Sequence, residues 1–181
     1  MIDTHCHIDF EDYNNDRTDV IKRAKEKLDA VINSGTNLEG NQTVLNLSKE
    51  NKGFIYPTFG FHPVTSQECT AEELHEAQKH LIDNIDDIVA IGEVGMDFFY
   101  VKDKSLRARQ KEIFTSFIEI ANDYKVPLLM HVRDCEKKAL NLINEYEDLP
   151  YAVFHCFSGS LKTAKRIMEH DNYYMSFSTM L

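Results

Sequence analysis

Short apolar runs recur along the chain, separated by longer stretches in which apolar positions return every three or four residues. Runs suited to buried strands occupy residues 1–5, 30–33, 54–61, 88–92, 127–131, 151–155 and 173–177. Between them the spacing is helical. Residues 18–28 put Val20, Ile21, Ala24 and Leu28 on one face. Thr70-Ala-Glu-Glu73 has the pattern of a capping box, followed by a stripe of Leu74, Ala77, Leu81 and Ile82. The longest helix is expected over about 105–124, with Leu106, Ile113, Phe117, Ala121 and Tyr124 as its buried line. Asp134 and Ser160 have the character of N-caps for two more. Strands alternating with helices predict right-handed βαβ crossovers and a parallel sheet, hence the α/β class. Seven strands and six helices suit an open doubly wound sheet or most of a (β/α)8 barrel. No G-x-G-x-x-G follows the first strand and no P-loop is present, which weakens the open-sheet reading.

The strand ends favour the barrel. Near the start, Asp3-Thr-His5-Cys-His7 places His5 and His7 two residues apart, so both side chains project to one face, with Asp3 beside them. Two neutral imidazoles so placed suit a single metal ion. Gly60-Phe-His62-Pro closes the third strand and Gly92-Glu93-Val-Gly-Met-Asp97 the fourth. His131-Val-Arg133 closes the fifth and His155-Cys-Phe-Ser-Gly the sixth. In a parallel barrel these ends converge on one face, where active sites are built. Any one of these histidines alone reads as a satisfied structural residue; together they point to a shared metal site. His75, His80 and His170 fall on helices and are assigned to solvated faces.

Composition narrows the setting. A chain of 181 residues, 43% hydrophobic, is long enough for one sizeable core, and no linker divides it, so a single domain over 1–181 is expected. No apolar run approaches membrane-spanning length and the N-terminus lacks signal-peptide character, which together predict a cytoplasmic protein with no membrane partner. Cys6, Cys69, Cys135 and Cys156 show no framework spacing and read as reduced thiols. A net charge of −10 argues against broad coating of nucleic acid. Residues 100–111 run the other way, with five basic residues against one acid, and read either as a solvated helix start or as a local grip on a strand end.

The motifs D-T-H-C-H, G-F-H-P, G-E-V-G-M-D, H-V-R-D and H-C-F-S-G, in this order, resemble those of the TatD family of metal-dependent deoxyribonucleases, barrel hydrolases of the amidohydrolase-like kind. The resemblance implies a (β/α)8 TIM-type barrel with two divalent metal ions (Mg2+, Zn2+ or Mn2+). It implies that His5 and His7 bind the first metal, that Glu93 bridges the two, and that His131 and His155 bind the second. It further implies that His62 touches phosphate or water and that Arg133 contacts a phosphate. The implied partner is DNA, with RNA as an alternative, and the local positive charge favours exonuclease-like action at strand ends.

The same family carries a further metal-binding aspartate after its last strand, in an E-T-D motif. None of the 181 residues corresponds to it, so the barrel is expected to be truncated after the seventh strand, lacking its C-terminal part. That expectation brings impaired turnover and self-association through an open barrel edge. Rival readings are an amidohydrolase acting on C–N bonds, an aminoacyl-tRNA ester hydrolase, and a metal-binding chain without catalysis. Glu93, standing where many amidohydrolases carry a metal-bridging lysine, counts against the first.

Overall fold

In the computed structural model, which describes residues 1–178, each strand is joined to the next through one α-helix, or through two between the third and fourth strands. The last three residues of the expected 1–181 domain lie outside the described residues. The strands are β1 (Ile2–Cys6), β2 (Ala30–Ser34), β3 (Ile55–Phe59), β4 (Ala90–Asp97), β5 (Leu128–Arg133), β6 (Ala152–His155) and β7 (Tyr173–Met175). The helices are α1 (Arg17–Lys25), α2 (Leu38–Glu50), α3 (Pro63–Ser66), α4 (Ala71–Asp83), α5 (Leu106–Tyr124), α6 (Glu136–Ile143) and α7 (Leu161–Ile167).

Each strand pairs in parallel with the next, in the order β1 to β7. A flat sheet of this order would hold β1 and β6 about 24 Å apart, five spacings of roughly 4.8 Å. Instead, the His5 ring at the end of β1 stacks on the His155 ring at the end of β6, with centroids 3.7 Å apart. The sheet therefore curls into a barrel wall of the TIM type, with seven of its eight strands. Among the described residues, β1 and β7 are each paired on one side only.

Burial explains the run-like strands. Every residue of β4 is buried, as expected for a parallel strand covered on both faces. The larger core packs β3 to β6 under α4, α5 and α6, with Phe59, Phe114, Phe117, Leu128, Met130 and Phe154 fully buried. A smaller cluster of Ile8, Ile21, Val31, Leu47, Phe54 and Ile55 seals the side of the barrel under α1 and α2.

The capping box at Thr70 and Glu73 forms in both directions, and Ser160 caps α7 by accepting from the Thr163 N–H. Asp134 does not cap α6. It takes a left-handed backbone, φ 60°, that turns the chain at the end of β5, and Cys135 occupies the cap position instead. Tyr124 leaves the buried line of α5 and is 47% exposed, because the helix ends there at the left-handed Lys125. His80 is half-buried against Phe59, ring centroids 5.2 Å apart, rather than solvated. The fourth strand also outruns its apolar segment. It continues to Asp97, pairing Val94 to Asp97 with Met130 to Arg133 beyond a register shift after Ile91. The polar members of that stretch face the barrel mouth, where a strand tolerates them.

Candidate metal centre

Two glycines let the strands meet closely enough to build a site. A side chain at Gly60 would run into the backbone of Glu93, and one at Gly95, φ 151°, would run into the His131 carbonyl. Their place in G-F-H-P and in G-E-V-G is thus set by backbone approach. Three buried amides brace the loops above. Asn33 accepts from the Ile8 N–H and donates to Asp9, fixing the chain just after His7. Asn41 pairs with both backbone groups of Gly60. Gln110 accepts from the Asp97 N–H and donates to the Pro63 carbonyl, tying the end of β4 to the His62 turn.

Within this frame, Glu93 is the hub. Its Oε2 lies 3.3 Å from the Nε2 of both His5 and His7. Its Oε1 lies 2.8 Å from His131 Nδ1 and 3.9 Å from His62 Nε2. Burial alone would raise the Glu93 pKa, but hydrogen bonds from His131, His5 and His7 hold it well below the usual carboxylate range. The carboxylate is therefore charged, buried and shared between two sets of rings.

The rings are oriented from behind. His7 Nδ1 is 2.8 Å from the Ser34 carbonyl, which only accepts, so that nitrogen carries a proton and the lone pair of the neutral ring sits on Nε2. His5 Nδ1 faces Ser34 Oγ at 3.2 Å, and the two Nε2 atoms approach to 3.0 Å. His131 is backed by a carboxylate: its Nε2 is 2.9 Å from Asp97 Oδ2. Asp97, fully buried, is held in turn by the N–H groups of Phe99 and Tyr100. Burial opposes charge on His131, but the bonds to Asp97 and Glu93 outweigh it and raise its pKa to about 9.

His62 and His155 behave in the opposite way. Burial pushes His62 down to about 4, and burial with the neighbouring His5 pushes His155 to about 4. His62 Nδ1 accepts from the Val64 N–H at 3.3 Å, so its proton resides on Nε2, facing Glu93. That ring offers a donor to the cleft, not a lone pair.

Ligand atoms of His5, Glu93 and His155 lie within 4.8 Å of one another, as do those of His62, Glu93 and His131. The donor set fits divalent cations: rings that give up the protons they share with the buried Glu93 carboxylate leave nitrogen and oxygen ligands suited to such an ion. His155 is drawn to His5 across the curled sheet, although its backbone registers with His131. Asp3 stays out of the cluster, its carboxylate accepting from the His5 N–H.

The rings open on a cleft of about 630 Å³ that Phe10, Phe99, Arg133 and Ser158 also line. Arg133 lies over the Phe99 ring at 3.8 Å and near Tyr100 at 5.0 Å. Asp97 and the bracing amides escaped sequence reading. The spacing of Glu93 and Asp97, four apart on one strand face, was the available signal for the first.

Known proteins resemble this chain in sequence and in fold. A family model for TatD-related DNases matches residues 2–181. An uncharacterized metal-dependent hydrolase of Methanocaldococcus jannaschii is 36% identical over 99% of this chain and 68% of its own length. A 3'-5' ssDNA/RNA exonuclease TatD of Musicola paradisiaca is 30% identical over 88% of this chain and 60% of its own. The crystal structure of a TatD homologue from Escherichia coli superposes with a TM-score of 0.84 at 28% identity, over 97% of this chain and 66% of that one. The chain thus spans about two thirds of the length of its relatives.

Proposed function

Because the chain belongs to the TatD-related DNase family of metal-dependent hydrolases, we propose that residues 1–181 act as one domain that hydrolyses phosphodiester bonds at the ends of single-stranded DNA or RNA. The observation that carries this reading is Glu93, each of whose oxygens faces a different set of imidazoles. In the proposal His5 and His7 would hold one divalent metal ion and His131 and His155 the other, with the Glu93 carboxylate within reach of both sets of rings. Two such ions, Mg2+, Mn2+ or Zn2+, supply Lewis acidity to a phosphoryl oxygen and acidify water.

The chain's own groups do the rest. His62 Nε2–H donates to a phosphate oxygen or to water, and its low pKa keeps it a neutral donor near neutral pH. Arg133, held flat on Phe99, offers its guanidinium edge to a phosphate. Phe10 and Phe99 give a terminal base apolar walls. End recognition is favoured because the cleft has room for few nucleotides and the protein's net charge of −10 opposes long electrostatic tracking. Four free thiols support a cytoplasmic setting.

The test is elemental analysis and a phosphodiester assay on the parent and on Glu93→Gln. The parent should bind two metal ions and trim single strands from an end. The variant should lose metal, and with it about 10²-fold or more of the rate. Retention of both metal and rate by Glu93→Gln would refute the bridging role.

A further inference from the structure

Phe98 and Phe99 leave the end of β4 toward different surfaces. Phe99 lines the histidine cleft. Phe98 is buried and, with Met96 and Leu142, floors a second groove of about 450 Å³ between α5 and α6. The rim of that groove is cationic. The Arg107 guanidinium sits 4.3 Å from the Phe98 ring centroid and Lys138 Nζ 5.0 Å from the same centroid, with Lys111 lining the groove one turn further along α5.

Two like charges against one aromatic ring, with a third in the same groove, repel each other, and three nearby acids are engaged elsewhere. Glu112 pairs with Arg109, Asp103 binds Ser105, and Glu136 accepts from Ser158. Among the described residues no carboxylate pairs with Arg107, Lys111 or Lys138; Glu145 lines the groove beyond the end of α6. Arg107 Nε is buried without a hydrogen-bond partner. A buried donor with no acceptor, in a groove where three cations outnumber the one carboxylate of Glu145, suits an anionic ligand.

Backbone pairing ties the two grooves together: the Phe98 N–H donates to the carbonyl of Arg133, which lines the cleft, at 2.9 Å. Tyr100, 62% exposed, has its ring centroid 5.0 Å from the Arg133 guanidinium, and Lys102 Nζ lies 4.6 Å from the Phe99 ring centroid. Exposed aromatics flanked by cations suit stacked bases with phosphates alongside. We infer that a single strand whose end lies in the histidine cleft passes over Phe99 and Tyr100 and lays its backbone phosphates on Arg107, Lys111 and Lys138. This rests on the phosphodiesterase reading above and adds to it a second subsite that sets a preference for longer strands.

Fluorescence anisotropy tests it, using the metal-loaded protein with phosphorothioate-linked thymidine oligomers, a dinucleotide and a decamer. The parent should bind the decamer more tightly. Arg107→Gln/Lys138→Gln should weaken decamer binding about tenfold and flatten the log–log salt slope by about 1.4, two contacts at roughly 0.7 each. Dinucleotide binding should not change. Lys111→Gln, at an exposed position outside the core, should move the decamer alone in the same direction, which separates charge loss from misfolding. A double variant with the parent's decamer affinity and slope overturns the inference. So does a parent that binds both lengths equally, with the phosphodiesterase reading intact. A parent that binds neither oligomer overturns that reading and the groove together.

Discussion

The β1 side and the β5 side of the centre hold their imidazoles by different means. On the β1 side the supports are neutral: the Ser34 carbonyl behind His7 and the Ser34 hydroxyl near His5. On the β5 side the support is the buried Asp97 carboxylate behind His131. A carbonyl fixes a tautomer and little more, whereas an anion also makes the ring a stronger base and a stronger ligand. Burial opposes charge on His7 and His131 alike, and Glu93 raises both; on His131 the Asp97 bond adds to this and carries the ring to about 9, whereas burial holds His62, which also faces Glu93 Oε1, at about 4. One carboxylate hub therefore meets a ring that must give up a proton to take a metal and another that keeps a proton to donate.

The largest effect should come from removing the charge behind His131. Asp97→Asn keeps an oxygen for the Phe99 and Tyr100 N–H groups but loses the anion facing Nε2. Metal binding on the β5 side should weaken about 10- to 100-fold, with the β1 side little altered. Chelator competition on the two sites resolves this, and equal weakening of both would erase the distinction between them.

A pH series sharpens the same contrast. Metal competes with the proton on His131 and on His7, whose pKa Glu93 also raises against burial, so affinity should rise with pH and level off above about 9. His62 and His155, already neutral above about 4, add nothing to that rise. Calorimetry in buffers of different ionisation enthalpy should record proton release on binding near neutral pH, and less of it in Asp97→Asn. Absence of release from the parent would mean that neither His131 nor His7 is charged before metal binds.

The smallest effect belongs to Ser34→Ala. It deletes the hydroxyl near His5, and with it an acceptor for Thr58, but leaves the carbonyl behind His7. A loss of about two- to tenfold in metal affinity is expected, the scale of one neutral hydrogen bond. A loss matching that of Asp97→Asn would show that a neutral support is worth as much as an anion.

Local sequence was enough for the alternation of strand and helix, because apolar period is a property of consecutive residues. It was also enough to bring His5 and His7 to one face, since side chains two apart on a strand always share one. The gathering of His62, Glu93, His131 and His155 at one mouth followed from parallel strands, whose C-terminal ends lie together. Strand pairing carried Glu93 and Asp97 inside β4, beyond the apolar run that marked it. Which ring meets which was decided only by the curl of the sheet. Register alone sets His155 beside His131, yet curvature presses it onto His5. Asp97 behind His131, Gln110 between two loops and the cations around Phe98 arise the same way, from elements far apart in the chain. Local periodicity carries no information about such pairings, because they depend on how distant strands and helices pack in three dimensions.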